Sequence, residues 1–299
     1  MSERPDRVTV RVPATSANVG VGFDCMGIAL DLFATFTFER AAELSIVGCE
    51  ERFRGVDNLV WTTYLAACAE LGCTMSRLSI DIDSPIPLSG GLGSSSACVV
   101  AGIIAAEELS GKGYDRAFAL DLATRLEGHP DNVAPAILGG LASSFVDDNG
   151  DTTSLRWDIS DNLRFVAMAP GYEVRTVDAR QVLPREVPLT TAIWQMGRCV
   201  AVTHALGTGD CELLARACVD RLHEPYREKL IPDYAALRSA SLDAGAATFV
   251  ISGSGSTMLA ICDGDEVAAT VQDAAAATVE GIWTSILKAS DKGAYVERA

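Results

Sequence analysis

The chain has 299 residues, 48% of them apolar and 21% charged, with a formal net charge of −16. That length favours two lobes over one compact domain, and the composition supports a buried core rather than disorder. So acidic a chain argues against nucleic acid as the main partner, because phosphate backbones are held by basic faces; an anionic ligand has to be met locally.

Apolar runs such as residues 97–106 fall short of the roughly 20 residues needed to cross a bilayer. The polar start at 1–6 lacks a signal-peptide pattern, so a cytoplasmic protein with no membrane attachment is expected. Nine scattered cysteines without a CxxC pair read as buried thiols of a reducing compartment rather than disulfides or a zinc site. Of 24 basic residues only Lys112, Lys229, Lys288 and Lys292 are lysine, and acids crowd 147–151 and 263–266. Two readings stay open: a high-salt cytoplasm, where surface carboxylate keeps a protein dissolved, and a GC-rich genome that favours Arg and Ala.

Residues 7–13 alternate Val8, Val10 and Val12 with polar neighbours, the period-2 signature of a half-buried strand. A loop of small residues at 16–22 follows, then strand-like 28–32 and 34–39, which meet near Asp31. Helical spacing of Leu59, Tyr64, Leu65, Cys68 and Leu71, closed by Gly72, predicts a helix over 58–71. Residues 78–82 read as a strand, and the glycine- and serine-rich 89–96 runs straight into a small-residue apolar helix at 97–109. A helix over about 115–127 comes next, then turns at Gly139 and Gly140 and at 147–151. A second block opens with a strand at 163–170. It continues with helices near 190–206 and 211–222, a strand at 247–252 and a helix around 265–277. The division between blocks is placed near 158–162.

The stretch PLSGGLGSSSA at 87–97 is the most informative. Gly90, Gly91 and Gly93 let backbone amides approach a ligand with no Cβ in the way, and Ser94, Ser95 and Ser96 open a helix whose N-terminal N–H groups favour an anion. In physical terms this is a phosphate cradle, although neither GxxxxGK[ST] nor GxGxxG is present. A GGxG turn alone is more often a structural connection; the serine triplet at a helix start is what favours the cradle.

This loop resembles the ATP-binding loop of the GHMP kinases, the family named for galactokinase and the homoserine, mevalonate and phosphomevalonate kinases. VPATSANVGVGFD at 12–24 is similar to the family's N-terminal substrate motif, and ISGSGSTM at 251–258 to its C-terminal glycine-rich motif. The three stand in the family's order across nearly the whole chain. Within the family, EGHPDNVAP at 127–135 resembles the branch that phosphorylates L-homoserine.

The resemblance implies an α+β fold of two lobes: a ribosomal protein S5-like, ATP-binding N-terminal domain (1–160) and a ferredoxin-like C-terminal domain (161–299). It implies that ATP is held by Pro87, Leu88, Ser89, Gly90, Gly91, Leu92, Gly93, Ser94, Ser95, Ser96 and Ala97, with Asn58 against the adenine. Ser94 and Glu127 would hold Mg²⁺ across the β- and γ-phosphates, as suits a hard cation that takes oxygen ligands. Asn18, Asp24, His129 and Asn132 would line the amino-alcohol site, Asp24 facing the ammonium and Asn132 the hydroxyl. Arg180 and Arg227 would bind the carboxylate, for which a planar guanidinium fork is apt. A homodimer is also implied. Taken singly, Glu127 reads as a solvated carboxylate, His129 as a turn histidine and each arginine as half of a surface ion pair; the surrounding motifs favour function. Asp57 or Asn58 also reads as a helix cap, and Asn58 can serve both roles.

Two departures from the family pattern matter. Many members that act on homoserine carry Arg or Lys where Gly90 stands, which leaves phosphate charge to backbone amides, Mg²⁺ and another base. Where mevalonate kinase uses an aspartate base, the aligned residue is Asn132, so direct in-line transfer with late loss of the hydroxyl proton is expected. The alternatives are another small-molecule kinase of the family and a catalytically silent regulator that binds nucleotide or metabolite. Ser94, Glu127, His129 and Asn132 together argue against the silent reading.

Overall fold

The alternation at Val8, Val10 and Val12 extends further than expected. In the computed structural model, which describes residues 5–88 and 90–297, strand β1 covers Arg7–Ala17 with those three valines buried. Strand β2 is a single strand, Met26–Arg40, where two were expected. Its antiparallel register with β1 shifts between Pro13 and Ala14, so that Asp31 and Leu32 leave the ladder as a bulge. Asp31 then pairs elsewhere: its N–H donates to the Lys288 carbonyl, and its carboxylate accepts the Lys288 N–H at 2.8 Å.

β3 (Ser45–Val47), β4 (Leu78–Asp83), β5 (Leu141–Val146) and β6 (Thr152–Trp157) complete the first sheet together with the end of the chain. β2 pairs with both β4 and β5, and β5 with β6. β5 and β6 form a hairpin around the acidic 147–151, where only a turn was expected; Asp147 Oδ1 there accepts the N–H groups of Asn149 and Asp151.

Helices α1 (Leu59–Leu71), α2 (Ser94–Ser110), α3 (Arg116–Glu127) and the short α4 (Val133–Leu138) pack against this sheet and each other. α1 closes at Gly72 in the left-handed conformation, as expected. α2 is almost wholly buried, and Gly102 lets its backbone touch α1: a Cβ there would lie 2.6 Å from the Val60 carbonyl.

Glu107 sits in α2 with 1% of its surface exposed. One oxygen accepts the Asp115 N–H at 2.9 Å and the other has no partner, so burial pushes its carboxyl from 4.5 up to about 8. Between those values the folded chain holds a proton that the unfolded chain releases, so stability falls as pH rises through that window and levels off above it. Glu107→Gln is expected to flatten part of this decline in denaturant titrations between about pH 5 and pH 8. Glu224, raised to about 8 by the same cause, keeps part of the rest, together with Glu127 and His129, which are also raised. An unchanged slope would contradict this.

The second sheet contains β7 (Leu163–Ala169), β8 (Thr248–Ile251), β9 (Met258–Asp263) and β10 (Trp283–Leu287) in the order β10-β7-β9-β8, all antiparallel. Between β7 and β8 lie α5 (Thr176–Gln181), α6 (Leu189–Thr208), α7 (Cys211–Ala217), α8 (Glu224–Arg227) and α9 (Tyr234–Asp243). α10 (Gly264–Thr278) joins β9 to β10. This is the β-α-β-β-α-β order of a ferredoxin-like unit.

α7 stops at Ala217 rather than near 222, because the Asp220 carboxylate captures the N–H groups of Leu222, His223 and Glu224 and turns the chain. The last strand, β11 (Tyr295–Glu297), pairs with β1 in the first sheet and not with the rest of 161–299. Among the described residues, the larger of two core clusters runs across both units, with Phe165, Val202 and Leu206 packed in the cluster that holds Val10 and Phe36, while Met168, Phe249 and Val271 belong to a second one. No helix among the described residues is long and apolar enough to cross a membrane.

Candidate functional site

Gly93 is the N-cap of α2 at φ +70°, and no side chain caps that helix. Its first-turn N–H groups are therefore left without a side-chain acceptor, and only a residue tolerant of the left-handed region serves at position 93. A Cβ on Gly93 would collide with Thr15 Oγ1 and come within 3.3 Å of Asn132 Oδ1. The loop thus lies directly against the residue expected to face the hydroxyl.

The segment between β8 and β9 holds the loop in place. Ser252 Oγ lies 2.7 Å from the Gly91 carbonyl and 2.8 Å from Ser16 Oγ, and the Thr257 N–H donates to the Gly90 carbonyl at 2.7 Å. Gly253 N–H donates to Ala17 O at 3.1 Å, which ties the same turn to the end of β1. Leu92 and Ala97 anchor the loop in the core. Pro87 and Leu88 lead into it, and Ser89 lies outside the described residues.

Gly91, Gly93, Ser94 and Ser95 line a cavity of about 330 Å³. The same cavity is lined by Asn18, Asp24, Glu127, His129, Asn132, Arg180 and Arg227, so the structure gathers these sequence-predicted residues in one place. Asn58 is not brought there. Its Oδ1 caps α1 by accepting the Val60 N–H, and its Nδ2 donates to the Phe53 carbonyl at 2.7 Å, so both ends of the amide have a protein partner.

Asp24 and Arg180 form a two-pronged ion pair, both contacts at 2.9 Å. Asp24 adopts φ +57° and is held there by Asn18, itself at φ +71°. Asn18 Oδ1 accepts the Asp24 N–H at 3.0 Å and Nδ2 donates to the Gly253 carbonyl at 2.8 Å. Asparagine tolerates the left-handed region better than most residues, which suits it to this post. Arg227 is buried, donates to the carbonyls of Gly253 and Ala179, and lies over the Phe23 ring at 5.0 Å.

His129 Nδ1 is 2.5 Å from Asp131 Oδ1, a bond that raises the imidazole above its usual value against the opposing effect of burial. Asn132 starts α4 but does not cap it; its Oδ1 accepts from the Thr15 hydroxyl at 2.7 Å. That leaves the amide N–H₂ as the donor available to a ligand hydroxyl. Burial pushes the Glu127 carboxyl above the ordinary carboxylate value, opposed by the charge of His129 and by the nearby hydroxyls of Ser95 and Ser96. Ser96 Oγ is buried and makes no well-formed hydrogen bond. Oxygen groups so poorly satisfied by protein partners suit a hard cation.

Sequence reasoning missed Thr15, Asp131 and the 173–176 wall. Thr15 and Asp131 lie inside quoted motifs, so their positions were visible while their contacts were not. Glu173, Arg175 and Thr176 line the cavity with no local sequence signal. A larger cleft of about 980 Å³ between α9 and β8 shares none of the site residues.

Comparison with known proteins places these features in context. Residues 58–140 match the model for the GHMP kinases N terminal domain, and residues 202–281 match that for the GHMP kinases C terminal. A homoserine kinase of Clostridium botulinum is 40% identical over 253 residues, covering 84% of this chain and 85% of that protein. One from a Synechococcus strain is 40% identical over 301 residues, covering 98% of each. The crystal structure of homoserine kinase from Cytophaga hutchinsonii superposes with a TM-score of 0.87 at 30% identity, covering 99% of both chains. A mevalonate kinase from L. major in complex with R-mevalonate shares the fold at a TM-score of 0.74 and 15% identity, covering 97% of this chain and 99% of that one.

Proposed function

The chain belongs to the GHMP kinase family, and from that premise we propose that it transfers the γ-phosphate of ATP to the side-chain hydroxyl of L-homoserine, the homoserine kinase step of threonine biosynthesis. One observation carries this reading: Asp24 and Arg180 pair in the cavity that also holds Asn132 and the phosphate loop. An α-amino acid offers each member of that pair a replacement, its ammonium for Asp24 and its carboxylate for Arg180. Arg227 supplies a second cation for the carboxylate. The substrate's hydroxyl end then extends toward Asn132 and Gly93.

The α2 N-terminus and the loop glycines receive the phosphates. Ser94 and Glu127 would hold Mg²⁺, which would offset charge on the β- and γ-phosphates when bound. Among the described residues no three His, Cys, Asp or Glu side chains cluster as a metal site, so phosphate oxygens are expected to supply part of the coordination. Asn132 donates from its N–H₂ to the substrate hydroxyl oxygen and aims it at phosphorus.

Asp24 is bound to Arg180 and Asp131 to His129. No carboxylate stands in the place of Asn132, and positioning with charge stabilisation suffices for a loose phosphoryl-transfer transition state. The proton leaves late, toward a phosphate oxygen. We read 1–160 as the ATP-binding unit and 161–299 as the ferredoxin-like one, with β11 returned to the first. We also read a cytoplasmic homodimer: α6 exposes Leu189, Ile193, Met196 and Val200 in one row, a face that a second copy can cover.

ADP release by the purified protein that depends on added L-homoserine tests the reading, and none above background would sink it. Asn132→Asp is expected to lower kcat about tenfold, the size of one net hydrogen bond, because a carboxylate replaces the donor that aims the hydroxyl. Steady-state kinetics with both substrates saturating checks this. A rise of orders of magnitude would mean that a general base is needed after all.

A further inference from the structure

Gly90 leaves the phosphate loop without a basic side chain, and a triphosphate stays negative with one Mg²⁺ bound. Preorganised positive charge at the transferred phosphate is what phosphoryl transfer requires most. Of the residues lining the cavity, the permanent cations are Arg175, Arg180 and Arg227. Arg180 is held by both oxygens of Asp24, and Arg227 is fixed by the carbonyls of Gly253 and Ala179. Both are committed to the substrate carboxylate in the kinase reading.

Arg175 differs from both. Its side chain is 75% exposed, and its guanidinium pairs with the Asp178 carboxylate at 2.7 and 2.9 Å. Water screens such a pair, so giving it up costs little. Asp178 lies in the first turn of α5, where the helix dipole favours its charge once the arginine departs. The next residue, Thr176, lies 3.4 Å from Ser254 by its hydroxyl. The backbone at 175 therefore sits beside the glycine-rich turn that grips Gly90 and Gly91. Glu173, on the same wall, would repel phosphate and is partly countered by Arg52 at 3.6 Å, which also pairs with Glu50 at 2.8 Å.

We propose that Arg175 leaves Asp178 when MgATP binds and sets its guanidinium on the β- and γ-phosphate oxygens, replacing the basic side chain missing at Gly90. The inference rests on the kinase reading. A guanidinium can take two phosphate oxygens at once, which an ammonium cannot.

The test is calorimetric titration with Mg²⁺ and a non-hydrolysable ATP analogue, in the absence of L-homoserine. Arg175→Ala is expected to weaken analogue binding about tenfold to thirtyfold and to flatten its salt dependence. L-homoserine affinity should stay within about twofold, since the arginine acts on phosphate rather than carboxylate. Arg175→Lys should recover part of the loss. Asp178→Asn, which frees the guanidinium, should tighten analogue binding, an arm that stands even if Arg175→Ala fails to fold.

Adding Gly90→Arg to Arg175→Ala should restore binding. Gly90 is not among the positive-φ glycines, and the tightest contact of a Cβ there is Thr257 Oγ1 at 3.0 Å. Wild-type affinity in Arg175→Ala, or an equal loss of L-homoserine and analogue binding, would overturn the proposal. Nucleotide binding without L-homoserine turnover in the wild type would instead defeat the kinase reading, so the two failures are separable.

Discussion

Glu127→Gln is expected to lower kcat about a thousandfold, at the upper end of what one preorganised electrostatic contact contributes. Glu127 ends α3 beside the start of α2, partly desolvated, with the hydroxyls of Ser95 and Ser96 nearby. Ser96 Oγ has no well-formed bond. The substitution keeps shape and removes charge, so stability should hold or rise slightly, because a partly buried carboxylate is costly. Affinity for L-homoserine should change little, since Asp24, Arg180 and Arg227 are untouched. Parallel kcat, thermal-melt and titration measurements check the three parts. A kcat within tenfold of wild type would remove Glu127 from the metal role.

Asp24→Asn is expected to lower kcat/KM for L-homoserine about a hundredfold while KM for MgATP stays nearly unchanged. Asp24 faces the ammonium and also neutralises Arg180. Losing one member of a desolvated charge pair costs about 2–5 kcal/mol, much of it from the partner left alone. The low part of that range applies, because both side chains remain about a third exposed, at 34% and 39%. Asparagine also tolerates the left-handed backbone at this position, so the loop should keep its shape. Equal loss of affinity for both substrates would mean that Asp24 acts through the fold.

Much of this was readable in advance, for reasons that differ from residue to residue. The cradle was legible because its physics is local: glycines, then serines, then a helix with no cap. β1 was legible from alternation alone. β5 was not, since Leu141–Val146 mixes small polar and apolar residues and looks like part of the turns around it. α4 was hidden because Pro135 sits within it, near its start where proline is tolerated.

The two strands expected from 28 to 39 are one, because a bulge takes Asp31 out of the ladder without ending the strand. Asn58 had two compatible readings, and its Oδ1 takes up that of a cap. What no local pattern could supply was partnership across distance. Asp24 and Arg180 lie 156 positions apart, and their pairing depends on two lobes meeting. Thr15 reaches Asn132 in the same way, 117 positions along. Arg175 had no signal at all until the cavity wall placed it beside the loop.

The most direct measurement is kcat/KM for phosphoryl transfer from MgATP to L-homoserine against γ-hydroxybutyrate, aminopropanol, mevalonate and shikimate. The first two analogues lack the ammonium and the carboxylate respectively. If Asp24, Arg180 and Arg227 read an α-amino acid, L-homoserine should exceed every other acceptor by at least about a hundredfold, as expected when a site's charged groups are left unpaired. Turnover of γ-hydroxybutyrate or mevalonate equal to that of L-homoserine would contradict the account.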